Sequence, residues 1–282
     1  MSDELTSRVR SDFSRARFKA FLNGVWAAIS GQSNRLLSYD EIKEKLHIGG
    51  PIYRGVQTVR VEQIAGSLNR YHQFDRAFLP TQDDTSSRWI LVNRAFYQDV
   101  SLPPVVLYKV GQVYFVVDGH HRVSVAREQN QEFIDAEVRE CATRVNITPD
   151  IKLEDLEILE DKVHFLERTA LDYLRPGANI KLTVPDGFER ILEHIAVHRY
   201  FMGLDLKRDI TEQEAVTHWY DTVYLPIVEV IRESGVLEDF PGKTEGDLYL
   251  WVLDHQHYLA QTEGQPLQSP AEAARDFIEE QD

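Results

Sequence analysis

A chain of 282 residues with 43% hydrophobic and 10% aromatic content can bury one large core or two modest ones, which excludes wholesale disorder. Its single cysteine, Cys141, excludes an intramolecular disulfide and a cysteine-built zinc cage, and points to a reducing compartment. The net charge of −15 is uneven: residues 1–143 carry 18 Lys+Arg against 17 Asp+Glu, and residues 144–282 carry 13 against 29. The acidic half repels a phosphate backbone, so DNA binding is expected to be weak or absent and confined to the first half.

Residues 9–30 place Phe18, Phe21, Leu22, Val25 and Ile29 at helical spacing, which predicts an amphipathic helix with that set as its buried face. Arg8, Arg15, Arg17 and Lys19 precede the apolar part as in a leader peptide, but Asp3, Glu4 and Asp12 break the basic run and Asn23-Gly24 breaks the apolar one. No apolar stretch reaches the ~20 residues needed to span a bilayer. The expectation is a soluble, cytoplasmic protein with no membrane partner. A second helix should start after Ser38, with Glu41 completing a capping box. Residues 1–54 thus read as an N-terminal helical segment; its helix pair resembles half of a helix-turn-helix, although generic helical hairpins are commoner.

From Gly55 the pattern changes. Val59, Val61 and Ile64 suit a short strand and turn that ends at Gly66-Ser67. Residues 69–80 are polar and aromatic without a period, and residues 84–98 look helical. Val105 to Val110 and Val113 to Val117 form a β-hairpin across Gly111. Then comes Asp118-Gly-His-His-Arg122, leading into Val123-Ser-Val-Ala, the start of a helix; Ile134, Ala136 and Val138 alternate as a later strand. Physically, residues 113–126 are a strand, a glycine turn and a helix N-terminus. The free N–H groups of such a first turn are anion donors. His120, His121 and Arg122 add side-chain donors at one spot, and Arg122 can grip a phosphate with two parallel bonds. The competing reading is a charged surface turn; three consecutive donors at a strand-to-helix junction favour the anion site.

Beyond residue 150 helices dominate. They are expected over 154–173, ended by Arg175-Pro176-Gly177, over 187–202, after the Thr211/Glu214 capping box, around Leu248, Val252 and Leu259, and after Ser269-Pro270. Ile180 to Val184 suits a lone strand, and Pro226 must kink or split its helix. Six of the ten histidines lie here; His194 and His198 are four apart and can face one ligand, yet they border an apolar stripe where core histidines are the ordinary outcome, so no metal is assigned. The stripe of Trp219, Tyr220, Tyr224, Tyr249 and Trp251 reads as packing. These helices either close the pocket of the middle region or make a dimer contact. The fold class is α+β: a small mixed-sheet domain at 55–145 between the N-terminal segment and a helical domain at 146–282.

Residues 55–142 resemble the ParB/sulfiredoxin-like superfamily. The resemblance rests on Gly66-Ser-x-x-Arg70, the Pro103-Pro-Val strand, and the Asp118-Gly-His-His-Arg-Val-Ser-Val-Ala helix start. The whole chain also resembles a bacterial family of undetermined function that joins such a domain to a helical one. The resemblance implies a domain binding a nucleotide di- or triphosphate (ATP, ADP or CTP) at the turn, with magnesium as a companion. Sulfiredoxins carry their nucleophilic cysteine where this chain has His120, so thiol chemistry is missing. Partitioning proteins carry Gly-Glu-Arg-Arg and a helix-turn-helix domain, and this chain has neither. The free-serine kinase branch, with Asp-Gly-x-His-Arg, is the closest local match.

A phosphotransferase or nucleotide hydrolase acting on a small-molecule acceptor or water is therefore the expected chemistry; the alternative is a nucleotide-gated regulatory or DNA-associated switch without substantial catalysis. In the first reading Gly119, His121 and Arg122 hold phosphate. Asp118 binds magnesium or takes a proton, or else only caps the helix, and His120 faces phosphate or substrate. Ser67, Arg70 and Arg76 approach from the preceding loop. Phe74 and Phe78 either stack on a base or, the favoured reading, fill the core.

Overall fold

The computed structural model describes residues 2–31, 33–69, 72–262 and 268–279. The chain divides into two compact units, Met1–Leu156 and Glu157–Asp282. The first contains α1 (Ser2–Ser30), β1 (Leu37–Ser38), α2 (Tyr39–Lys45), β2 (Pro51–Arg60), β3 (Ile64–Ser67), α3 (Ser86–Tyr97), β4 (Val105–Val110), β5 (Val113–Asp118), α4 (His120–Glu128) and β6 (Phe133–Cys141). Its six strands form one sheet in the order β1-β3-β5-β4-β6-β2. Pairing is mixed: β1, β3 and β5 run parallel, β4 returns antiparallel to β5 and parallel to β6, and β2 lies antiparallel on the outside of β6. The architecture is the expected α+β.

Burial follows position in the sheet. β5 is central, so Val113 to Val116 are buried on both faces, whereas edge strand β2 buries only Val59 among its ten residues. Gly66 on β3 pairs with Phe115, whose ring crosses directly over it; a Cβ at Gly66 would lie 2.2 Å from that ring. One sheet face holds Phe74, Phe78 and Val123 against Val105, Leu107, Val116 and Val138. A second cluster joins Phe13, Ala16 and Ala20 of α1 to Trp89 of α3 and Val125 of α4.

The α1 helix forms as expected but buries another face. Val9, Phe13, Ala16 and Ala20 are inside, while Phe18, Phe21, Leu22, Val25 and Ile29 are 41–74% exposed. The buried stripe has the same four-three spacing but smaller side chains, which lets α1 sit close to Trp89. Asp12 fixes that docking: its buried carboxylate accepts from Asn93 and Tyr97 of α3, at 3.1 and 2.8 Å, and from Arg15. Ser38 caps α2, as its Oγ accepts from the Glu41 N–H.

The second unit is helical: α5 (Asp155–Thr169), α6 (Leu171–Leu174), α7 (Gly187–Leu206), α8 (Glu212–Trp219), α9 (Leu225–Ser234), α10 (Glu245–Thr262) and α11 (Pro270–Glu279). The Thr211/Glu214 capping box is complete. Pro226 does not break the line between α8 and α9; residues Tyr220–Tyr224 widen into one π-helical turn, which absorbs the missing N–H. The lone strand expected at Ile180 to Val184 is absent, because this segment is held by a carboxylate instead of a ladder. Buried Asp247 accepts from both N–H and Oγ1 of Thr183 at 2.8 Å, and from Thr244. No described helix is long and apolar enough to cross a membrane.

Candidate functional site

The β5–α4 junction is built around Gly119, whose φ of +98° turns the chain from strand to helix. A side chain there would strike Val105 Cγ1 at 2.6 Å and the Arg122 guanidinium at 3.0 Å, so the position requires glycine on two counts. The first intrahelical bond of α4 runs from Val123 N to Gly119 O at 3.0 Å. The N–H groups of His120, His121 and Arg122 precede it and have no intrahelical acceptor.

Arg122 folds back across the turn. Its Nη2 donates to Asp118 Oδ2 at 2.6 Å, and its Nη1 donates to the carbonyls of Pro104, at 2.9 Å, and Pro103. It therefore clasps the entry of β4 to the exit of β5. Asp118 is 68% exposed and lies at the rim.

His120 is buried, and its Nε2 meets Ser67 Oγ at 2.8 Å. Parallel pairing of β3 with β5 makes that contact, since both strands end on the same edge of the sheet. Phe74 lies parallel to the His120 ring at 6.2 Å and edge-on to His121 at 5.5 Å. Phe74 and Phe78 are core residues, so the histidines rest on the core and not on solvent.

Asp118, Gly119, His120, His121 and Arg122 line a cleft of about 320 Å³, with Asn69, Arg88, Val92 and Val117 completing it; Ser67 lies behind His120 and is not part of the lining. Arg88 was not singled out by sequence; only the packing of α3 on α4, through the Trp89 Nε1 to Ser124 Oγ bond of 2.9 Å, brings it there. It is exposed and pairs with no other described residue. The one legible signal was its place next to a tryptophan on a helix of otherwise ordinary polarity.

Not every expected residue arrives. Arg76 is half-buried, does not line the cleft, and donates to the carbonyls of Pro149 and Ile151, at 2.9 and 2.8 Å, which ties down the segment after β6. Arg70 lies outside the described residues. In the second unit, His194 and His198 turn to different partners, Tyr249 and His218.

No family model matches the chain. No curated protein matches it. Among solved structures it is similar to a Pnob8-like ParB-N domain, at 11% identity, over 82% of this chain and 98% of that one, with a TM-score of 0.21. That match is to a protein of the kind residues 55–142 resemble, but at this TM-score it adds nothing to the argument from the junction.

Proposed function

We propose that the β5–α4 junction is a nucleotide site. One observation carries this reading: the first turn of α4, whose N–H groups have no intrahelical acceptor, the exposed, cationic Arg88 and two histidines converge on one cleft at the end of the central strand. Phosphate is the ligand class that suits them, because it offers three acceptor oxygens to donors arranged in an arc. A cleft of about 320 Å³ takes a phosphate chain and leaves the base toward its open side. ATP, ADP and CTP are the first candidates.

The existing Asp118–Arg122 pair gives the reading a mechanism. An incoming phosphate competes with Asp118 for the guanidinium, and a phosphate oxygen that wins frees Asp118 Oδ2 at the rim. A single carboxylate plus phosphate oxygens is an ordinary magnesium environment. Asp118 therefore either holds that ion or accepts the proton of an attacking hydroxyl, and the reaction class is phosphoryl transfer to a small hydroxyl acceptor or to water. His120, steadied by Ser67, donates to the transferring group.

Thermal unfolding with ATP, ADP, CTP and GTP, each with and without magnesium, tests the site. A ligand at 100 times its dissociation constant adds about 2.7 kcal/mol. A shift with any of them, lost in Arg88→Ala, supports the reading; no shift with any removes it. A shift without phosphate release, with serine among the acceptors tried, favours a nucleotide-gated regulator over an enzyme.

A further inference from the structure

The helical unit holds a groove of about 750 Å³ that plays no part in the junction. Trp219 and Tyr249, both fully buried, contribute to its lining, together with His194, Val197 and Phe201 of α7 and Leu253 of α10. Three of these groups form a chain of hydrogen bonds. Trp219 Nε1 donates to Tyr249 Oη at 3.0 Å, and Tyr249 Oη lies 3.1 Å from His194 Nδ1.

The protons in this chain have one consistent arrangement. An indole N–H only donates, so the phenol oxygen is its acceptor. The phenol is buried and must place its own proton, and His194 Nδ1 is the acceptor within reach. Nδ1 is therefore unprotonated and the ring proton sits on Nε2. That atom bonds to no described residue and is not sealed from solvent. Burial, reinforced by the nearby Arg190 guanidinium, pushes the imidazole down to about 4, so it is a neutral donor at physiological pH.

We propose that this groove binds a neutral, mainly apolar small molecule whose carbonyl or ring-nitrogen acceptor takes the His194 Nε2 proton. Phe201, Val223 and Leu253 would hold the apolar body. Charge argues for neutrality. Arg190, the lining arginine, is already paired to Asp254, so an anion meets no free cation, and Glu193 adds negative charge at the edge. A metal does not suit the groove: His198 Nε2 is bound to His218 Nδ1 at 2.8 Å, and among the described residues no three ligand atoms gather there.

Acetophenone, ethylbenzene and benzoate, titrated into the full chain and followed by two-dimensional amide NMR, test the proposal. They share a ring and differ in acceptor and charge. Acetophenone is expected to move α7 and α10 amides and to bind about fivefold more tightly than ethylbenzene, the worth of one neutral hydrogen bond. Benzoate is expected to bind most weakly. In His194→Phe the acetophenone preference should vanish while ethylbenzene still binds. Equal affinities for all three, a preference that survives in His194→Phe, or no amide shift at millimolar ligand would each overturn the proposal. A measurement on the wild type needs no variant to fold: the ¹⁵N shifts of the His194 ring should show an unprotonated Nδ1 and a protonated Nε2 at neutral pH, and the reverse tautomer would end it.

Discussion

The cleft at the β5–α4 junction and the groove of the helical unit are built on opposite principles. The junction cleft places charged and backbone donors at the end of a sheet, where a glycine with φ of +98° sets their direction. The groove of the helical unit has an aromatic lining that includes Trp219 and Tyr249, and a histidine kept neutral by burial. The cleft sets the exposed Arg88 beside a helix N-terminus, whereas in the groove the lining arginine is already paired to Asp254 and the imidazole is uncharged. The sequence announces the first kind loudly, because charged residues cluster in the chain itself. The second kind is assembled from residues 194, 219 and 249, which meet only in the fold.

The largest expected effect is at the rim of the cleft. Asp118→Asn should lower phosphate release by about 10²–10⁴ while nucleotide affinity stays within a few-fold, since the amide keeps the size but loses the charge. A phosphate-release assay beside calorimetry checks this. The helix-cap reading of Asp118 fails in the structure, where Gly119 is the N-cap and no side chain caps α4, so full turnover in the variant would leave Asp118 only its pairing with Arg122.

Next come the two arginines, which separate holding the site from holding the ligand. Arg88→Ala should weaken nucleotide binding at least tenfold with no change in stability, because its side chain is tied to nothing else described. Arg122→Ala should weaken binding too, and also destabilise the first unit by about 1–2 kcal/mol, because the carbonyls of Pro103 and Pro104 lose their donor. Urea denaturation beside calorimetry distinguishes them, and identical behaviour of the pair would blur the contrast between clasp and contact.

A smaller effect is expected from pH. His194 is neutral in the folded chain down to about 4 and titrates near 6.5 when unfolded. Between those values the unfolded state binds the extra proton, so the helical unit loses stability as pH falls from about 6.5 to 4. In His194→Phe that part of the slope should disappear, as read from denaturation midpoints across the window; an unchanged slope would show that the ring is protonated in the fold. Smallest of all, Phe18→Ala should leave stability within about 0.5 kcal/mol, whereas Phe13→Ala on the same helix should cost about 3–5.

That last contrast marks where the sequence misleads. Phe18 and Phe21 form the more hydrophobic stripe, so periodicity selects them, but helix packing favours the stripe that allows close approach to Trp89. Hairpin β4–β5, the Gly119 junction and the caps at Ser38, Thr211 and Ser269 were legible because each depends on contacts within a few residues. Arg76 and Arg88 were not, since their fates depend on Pro149 and on α4, far away in the chain. The extended residues Ile180 to Val184 looked like a strand because they alternate, yet a strand exists only with a neighbour, and Asp247 took that place.

Gly66 couples the core of the sheet to the junction. Its missing side chain leaves room for a ring from the neighbouring strand to lie across β3. Phe115 and the carbonyl of Leu37 occupy the space a Cβ would need, so any side chain at residue 66 would push the ring or the strand aside. Ser67 follows immediately, so a displacement of β3 at residue 66 would carry over to its 2.8 Å contact with His120. Adding a single methyl group at residue 66 would therefore mis-set a hydrogen bond at residue 120 without touching the cleft, and core packing and the chemistry of the junction would drift together.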